Sequence, residues 1–223
     1  MAVHYDGVVD DATLHRGLGS LQAQTFRDFE VLLYHDGPPR RPLRSDDLVR
    51  RCDRLTRVTA TERRYADWGH SLRDRGIREA RGDYIVHFNV DNILYPFALG
   101  ELDRELRSLR PVFFSDDMIA VFDPADIVVF PILMRGMGTN GHVAWRHRAN
   151  VERLLGRVPA MIMTGLPPRP GNIDCMQLVM RRTTWLAEGG WTDRSERSDG
   201  KLYEGLVARY GAKHVTMVLG EHW

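Results

Sequence analysis

The stretch from Gly82 to Pro96 constrains this chain more than any other. A turn at Arg81-Gly82-Asp83 leads into the apolar run Tyr84-Ile85-Val86-His87-Phe88, and the run stops in Asn89, Asp91 and Asn92. A short apolar run bounded in this way reads as a buried strand of an α/β sheet. Its polar end then lies at the sheet edge where open α/β sheets bind ligands. Oxygen donors at that edge suit a hard divalent cation, and such a cation is usually shared with phosphates.

The rest of the chain is read around that point. Ala2-Val3-His4-Tyr5 is a short strand closing at Asp6-Gly7. Leu14, Leu18 and Leu21 recur at helical spacing. Phe29 to Tyr34 is a buried strand ending in the turn His35-Asp36-Gly37-Pro38-Pro39. A short strand at 57–60 and a helix at 71–81 precede the central stretch. Pro96 opens another helix, with Leu99, Leu102 and Leu106 inward. From Val112 the pattern changes to short strands at 112–114, 118–122 and 127–133. The last two are joined by a predicted hairpin turn at Asp123-Pro124-Ala125-Asp126. A loop at 136–141, a helical piece at 151–155, a bend at Pro167 to Gly171, a strand at 178–180, a helix at 199–210 and a strand at 215–219 complete the pass. Alternation of strand and helix followed by a mixed portion predicts an α/β chain with a mixed central sheet flanked by helices.

Composition narrows the function classes. The 223 residues are 43% hydrophobic and 27% charged, as in a folded globular domain. The formal net charge of +1 asks for neither nucleic acid nor an acidic membrane surface as partner. Cys52 and Cys175 stand far apart, which fits a reducing cytoplasmic setting and no zinc site. No apolar run has the length of a membrane span, and the first residues do not read as a signal peptide.

Several stretches line up, in order, with one family. Leu18 to Val31, containing Ser20-Leu21-Gln22-Ala23-Gln24-Thr25-Phe26-Arg27-Asp28-Phe29-Glu30, resembles the start of family 2 glycosyltransferases with the GT-A fold, and His35-Asp36-Gly37 stands where that family has Asp-Asp-Gly. Gly69 to Ile77 resembles its Ala-Arg-Asn helix start. Gly82-Asp83-Tyr84-Ile85 followed by Asn89-Val90-Asp91-Asn92 resembles its Asp-x-Asp strand. Gly189-Gly190-Trp191-Thr192-Asp193 resembles a Gly-Gly-aromatic loop, and Ser198-Asp199 sits where Glu-Asp is usual. The chain departs from the pattern at Asn89, which replaces the first acid of Asp-x-Asp, and at Asp74, which replaces an Asn.

The resemblance implies a single GT-A-like domain over 1–223, with a nucleotide-binding half at 1–110 and an acceptor-binding half at 111–223. It implies sugar transfer from a nucleoside diphosphate donor (UDP-, GDP- or dTDP-linked) to a hydroxyl acceptor, with inversion and dependence on Mn²⁺ or Mg²⁺. Asp199 is the expected general base. Tyr5, Asp36, Arg73, Asn89 and Asp91 are expected at the nucleotide, and Asp174, Gln177 and Trp191 at the donor sugar or acceptor. Asp91 and His222 are the expected metal ligands, with Asp116-Asp117 as a rival acidic pair. Two other readings compete: a binder of nucleotide-sugars without turnover, favoured by Asn89 and the short first strand, and a nucleotidyltransferase. The latter requires a Lys-bearing Gly-rich loop that Asp6-Gly7-Val8-Val9 lacks.

Overall fold

The computed structural model describes residues 2–3, 11–39, 45–114, 119–135 and 160–223. Tyr5, Asp116-Asp117, the loop at 136–141 and the helical piece at 151–155 lie outside the described residues.

The first half builds a three-stranded parallel sheet. β2 (Val31–His35) sits between β1 (Ala2–Val3) and β3 (Leu55–Ala60). All five residues of β2 are buried, as a strand covered on both faces requires. α1 (Asp11–Gln22) turns Leu14, Leu18 and Leu21 into the core, and α2 (Ser45–Arg51) adds Leu48. α3 (His70–Glu79) follows β3 and buries Leu72 and Ile77.

The central stretch does not run as one strand. β4 (Tyr84–Val86) stops after three residues, 87–91 cross over, and β5 (Asn92–Leu94) joins a different sheet. The crossover carries the chain to a new partner. β5 pairs antiparallel with β13 (Gly220–His222), and their register sets His222 opposite Asn92. Two residues 130 apart in sequence are thereby made neighbours. α4 (Ala98–Arg107) packs Ala98, Leu102 and Leu106 inward.

The second half is mixed. β6 (Leu109–Phe114) and β7 (Ile119–Pro124) pair antiparallel as a two-stranded unit. The hairpin expected at 123–126 is therefore misplaced: β7 pairs back to β6, while β8 (Ile127–Val129) pairs with β11 (Leu178–Arg181) and with β12 (Lys213–His214). The expected single strand at 127–133 divides at Phe130-Pro131, where proline removes a ladder donor. Its second part, β9 (Ile132–Arg135), lies between β10 (Ala160–Met163) and β13. The strand expected at 215–219 begins only at Gly220; before it, Val215 and Leu219 donate singly to Val129 and Pro131 carbonyls. A Cβ at position 220 would run into the Ile93 carbonyl, so the close β5–β13 approach needs glycine. α5 (Arg182–Ala187) and α6 (Ser198–Tyr210) cover this half.

One apolar cluster joins α1, β2, α4, β8 and residues as late as Leu219; a second gathers Trp185, Trp191, Tyr203 and Ile77 around β11. A cavity of about 770 Å³ is lined by residues of β2, α3, β4 and α4. No helix among the described residues is long and apolar enough to cross a membrane.

Candidate active site

The crossover and the β5–β13 register deliver one half of a polar cluster. The Nδ1 of His222 lies 2.8 Å from the Asn92 Oδ1 and 3.9 Å from the Asp91 Oδ1. An amide oxygen only accepts, so Nδ1 carries the imidazole proton and the lone pair is left on Nε2. A metal-binding histidine is held in the same way, its other nitrogen donating to an oxygen. The Asp91 Oδ1 is buried and has no hydrogen-bond partner. Burial raises the Asp91 pKa; His222, whenever it carries a proton on both nitrogens, opposes the rise, and Asp174 adds to it. Among the described residues no three His, Cys, Asp or Glu side chains are gathered as a metal cage. Asp91 and His222 fit a cation that takes its remaining ligands from phosphate and water.

The other half comes from the second portion of the chain. Asp174 caps the 3₁₀ turn Cys175–Gln177 by accepting from the Met176 amide at 2.9 Å. Asp199 lies in the first turn of α6, one residue inside its start; the preceding cap position is Arg197, so Asp199 is not the cap. Its Oδ1 accepts from the Gly200 amide at 2.8 Å. Burial, and then the charge of Asp174, push the Asp199 pKa up to about 6. A Cβ on Gly200 would collide with the backbone of Arg169 and Pro170, so the bend at 167–171 is pressed against this helix start.

Arg73 stands behind the acids and is only 6% exposed. It donates to the Trp68 carbonyl (2.7 Å), the His70 Nδ1 (3.0 Å), the Asn89 Oδ1 (2.7 Å) and the Cys175 Sγ (3.3 Å). Burial works against its charge; Cys175, Tyr203, Asp174 and Asp199 together outweigh that and raise its pKa. With both terminal nitrogens committed to the protein, Arg73 is a buried strut under the site and not a free phosphate hand. Asn89 is the other end of that strut.

Asp36 has a similar fate. It is 3% exposed, and its two oxygens accept from the amides of Tyr65 (2.8 Å) and Ala66 (3.1 Å), with the Arg64 Nε at 3.9 Å. Its carboxylate shapes the 61–69 loop, where Ala66 and Trp68 hold positive φ (54° and 55°) and Tyr65 and Trp68 are exposed.

Two expected sugar contacts are spent inside the fold. Gln177 is fully buried: its Nε2 donates to the Phe130 and Met163 carbonyls, and its Oε1 accepts from the Asp174 amide. Trp191 is also fully buried, stacked on His70 (5.3 Å) and Trp185 (5.9 Å), with its Nε1 donating to the Ser198 Oγ. Neither presents a face to a ligand. Asp74, a departure from the family pattern, accepts from the Trp191 amide and lies against Gly190, whose φ of 85° and lack of a Cβ permit the contact. Sequence reading does not single out the contact between His70 Nε2 and Ser198 Oγ, 3.0 Å apart. The Gly69-His70-Ser71 helix start was its only signal.

No family model and no curated protein matches this chain. Solved structures do. S. aureus TarS 1-349 superposes with a TM-score of 0.63 at 13% identity, covering 99% of this chain and 59% of that one. The same TarS segment in complex with UDP-GlcNAc gives 0.62 at 13% identity, over 99% of this chain and 56% of that one. Glucosyl-3-phosphoglycerate synthase from Mycobacterium tuberculosis, in complex with phosphoglyceric acid, gives 0.54 at 16% identity over 100% of this chain and 70% of that one. The chain thus spans less than two thirds of the TarS structures it matches. The fold is that of GT-A glycosyltransferases, a mixed α/β architecture.

Proposed function

We propose that this chain is a glycosyltransferase, moving a sugar from a nucleoside diphosphate donor to a hydroxyl acceptor with inversion. The observation that carries the reading is the acid cluster. Asp91, Asp174 and Asp199 come from the β4–β5 crossover, a 3₁₀ turn and α6, yet Asp174 lies within electrostatic reach of each of the others. Like charges set near one another at partly buried positions are a costly arrangement that clusters at functional sites. The shared GT-A fold supports the same reading, and the UDP and UDP-GlcNAc complexes of TarS make a uridine nucleotide the first donor to test.

Asp199 acts as the base. With a pKa of about 6 it is ionised at neutral pH yet basic enough to accept a proton. It takes the acceptor hydroxyl proton while that oxygen bonds to the anomeric carbon. The bond from that carbon to the diphosphate oxygen breaks, and its electron pair leaves with the nucleoside diphosphate. Asp174 raises the basicity of Asp199 by its charge. Asp91 and the His222 Nε2 would hold Mn²⁺ or Mg²⁺, which when bound neutralises charge on the departing diphosphate. Asn92 fixes the His222 tautomer for that task.

The test is release of nucleoside diphosphate from UDP-, GDP- and dTDP-sugars with Mn²⁺, with Mg²⁺ and with EDTA. Turnover of one donor is expected only with metal, and Asp91→Ala should abolish it. Asp91→Ala that works at the wild-type rate in EDTA would remove the metal role; tight binding without turnover of any donor over hours would make the chain a binder.

A further inference from the structure

Arg73 reaches the donor side of the site through Asn89, two residues before Asp91. Its other contact of interest is His70. A guanidinium only donates, so the bond from Arg73 fixes the His70 Nδ1 as acceptor, and the imidazole hydrogen sits on Nε2. That hydrogen points at the start of α6: Nε2 lies 3.0 Å from the Ser198 Oγ and 3.1 Å from the Ser195 carbonyl. Ser198 has no exposed surface and also accepts from Trp191, whose ring stacks on His70. The residue after Ser198 is Asp199.

We propose that His70 is a positioning residue, fixing the first turn of α6, and with it Asp199, to the β4–β5 crossover that carries Asn89 and Asp91. The proposal rests on Asp199 as the base. Two features suit His70 to the task. It is 4% exposed, so its hydrogen bonds do not compete with water. Burial, and then Arg73, hold its pKa down to about 4, so the ring stays neutral and keeps one donor and one acceptor across the working pH range. Without the link, α6 is still packed through Tyr203 and Leu206. Its first turn, however, loses the partner that ties it to the donor side. Misplacing a reacting group by about 1 Å lowers rate on the order of 100-fold.

The experiment compares His70→Ala, His70→Gln and Ser198→Ala with wild type by steady-state kinetics from pH 4.5 to 9, with melting temperatures in parallel. Asp199 is faced by Asp174 from the 3₁₀ turn, Arg73 from α3 and the Gly200 amide of its own helix, so its ionisation reports on its placement among them. His70→Ala should lower kcat about 100-fold with an unchanged KM for the donor. Its acid limb should move below the wild-type midpoint as water reaches the carboxylate. His70→Gln, whose amide can accept from Arg73 and donate to Ser198, should restore most of both. Ser198→Ala should lower kcat and shift the limb in the same direction. Should His70→Ala fail to fold, the other two variants decide. Wild-type kcat and limb in Ser198→Ala overturn the proposal, as does a lowered melting temperature in His70→Ala with kcat and limb unmoved. Asp199→Asn is the control: if it retains transfer, the base assignment falls and this proposal with it.

Discussion

Asp36 and Asp199 are both acids at the ends of elements, and sequence alone assigns both to substrate. The structure gives them different surroundings. Asp36 is sealed at the end of β2, with an amide on each oxygen and a guanidinium nearby. Asp199 receives one amide from its own turn and has Asp174 opposing its charge. Asp36 is closed to solvent and Asp199 half-buried, and the supply of donors differs as well. A buried carboxylate with a backbone donor on each oxygen organises backbone. One left short of donors and set against a like charge has a raised pKa and can take a proton.

This contrast can be broken experimentally. The largest effect belongs to Asp199→Asn, which should reduce transfer about 1000-fold while nucleoside diphosphate binding, read by calorimetry, persists. A comparable loss in Asp36→Asn with intact folding would erase the distinction.

Next comes stability at Asp36. Asp36→Ala strips acceptors from two amides and should destabilise the fold by about 2–3 kcal/mol in urea unfolding. A change under about 0.5 kcal/mol, within the range of surface substitutions, would mean the clamp is incidental.

A third effect runs in the opposite direction. The folded Asp199 pKa is raised, from 3.8 to about 6, so its proton stabilises the fold below pH 4 and that stability is lost as pH rises through 6. Asp199→Asn should therefore be more stable than wild type at pH 7, by about 2 kcal/mol, with the advantage gone near pH 4. An equal advantage at both pH values would refute the raised pKa.

The smallest effect is at the loop that Asp36 holds. Ala66→Gly removes the strain of a positive φ but adds freedom to the unfolded chain, for a net gain of a few tenths of a kcal/mol. A clear loss would show that the Ala66 methyl has a packing role.

Much of the architecture is legible in the chain itself. The Gly82-Asp83-Tyr84-Ile85 turn and strand, the inward leucines of α1 and α4, and the placing of Asp199 in the first turn of a helix all come from local pattern. The fates of Asp36, Arg73 and Gln177 are not legible, because each side chain is spent on backbone or side-chain partners remote in sequence. Gln177 serves the carbonyls of Phe130 and Met163, and Asp36 serves amides 29 and 30 residues on. Trp191 resembles a stacking platform since residue type does not reveal which face of a loop is covered. The misplaced hairpin has a local cause: Asp123-Pro124-Ala125-Asp126 has turn chemistry, but pairing partners are chosen by the whole sheet.

Gly200 carries a consequence for how such a chain varies over time. Its position is closed to every side chain by the backbone of Arg169 and Pro170, whereas Gly205, on the same helix, faces open space. Substitutions should accumulate freely at 205 and be purged at 200. Even alanine at 200 requires a compensating retreat of the 167–171 bend. The neighbour of the proposed base is thus tied to a distant loop, and lineages that reshape that loop must do so in step with the start of α6.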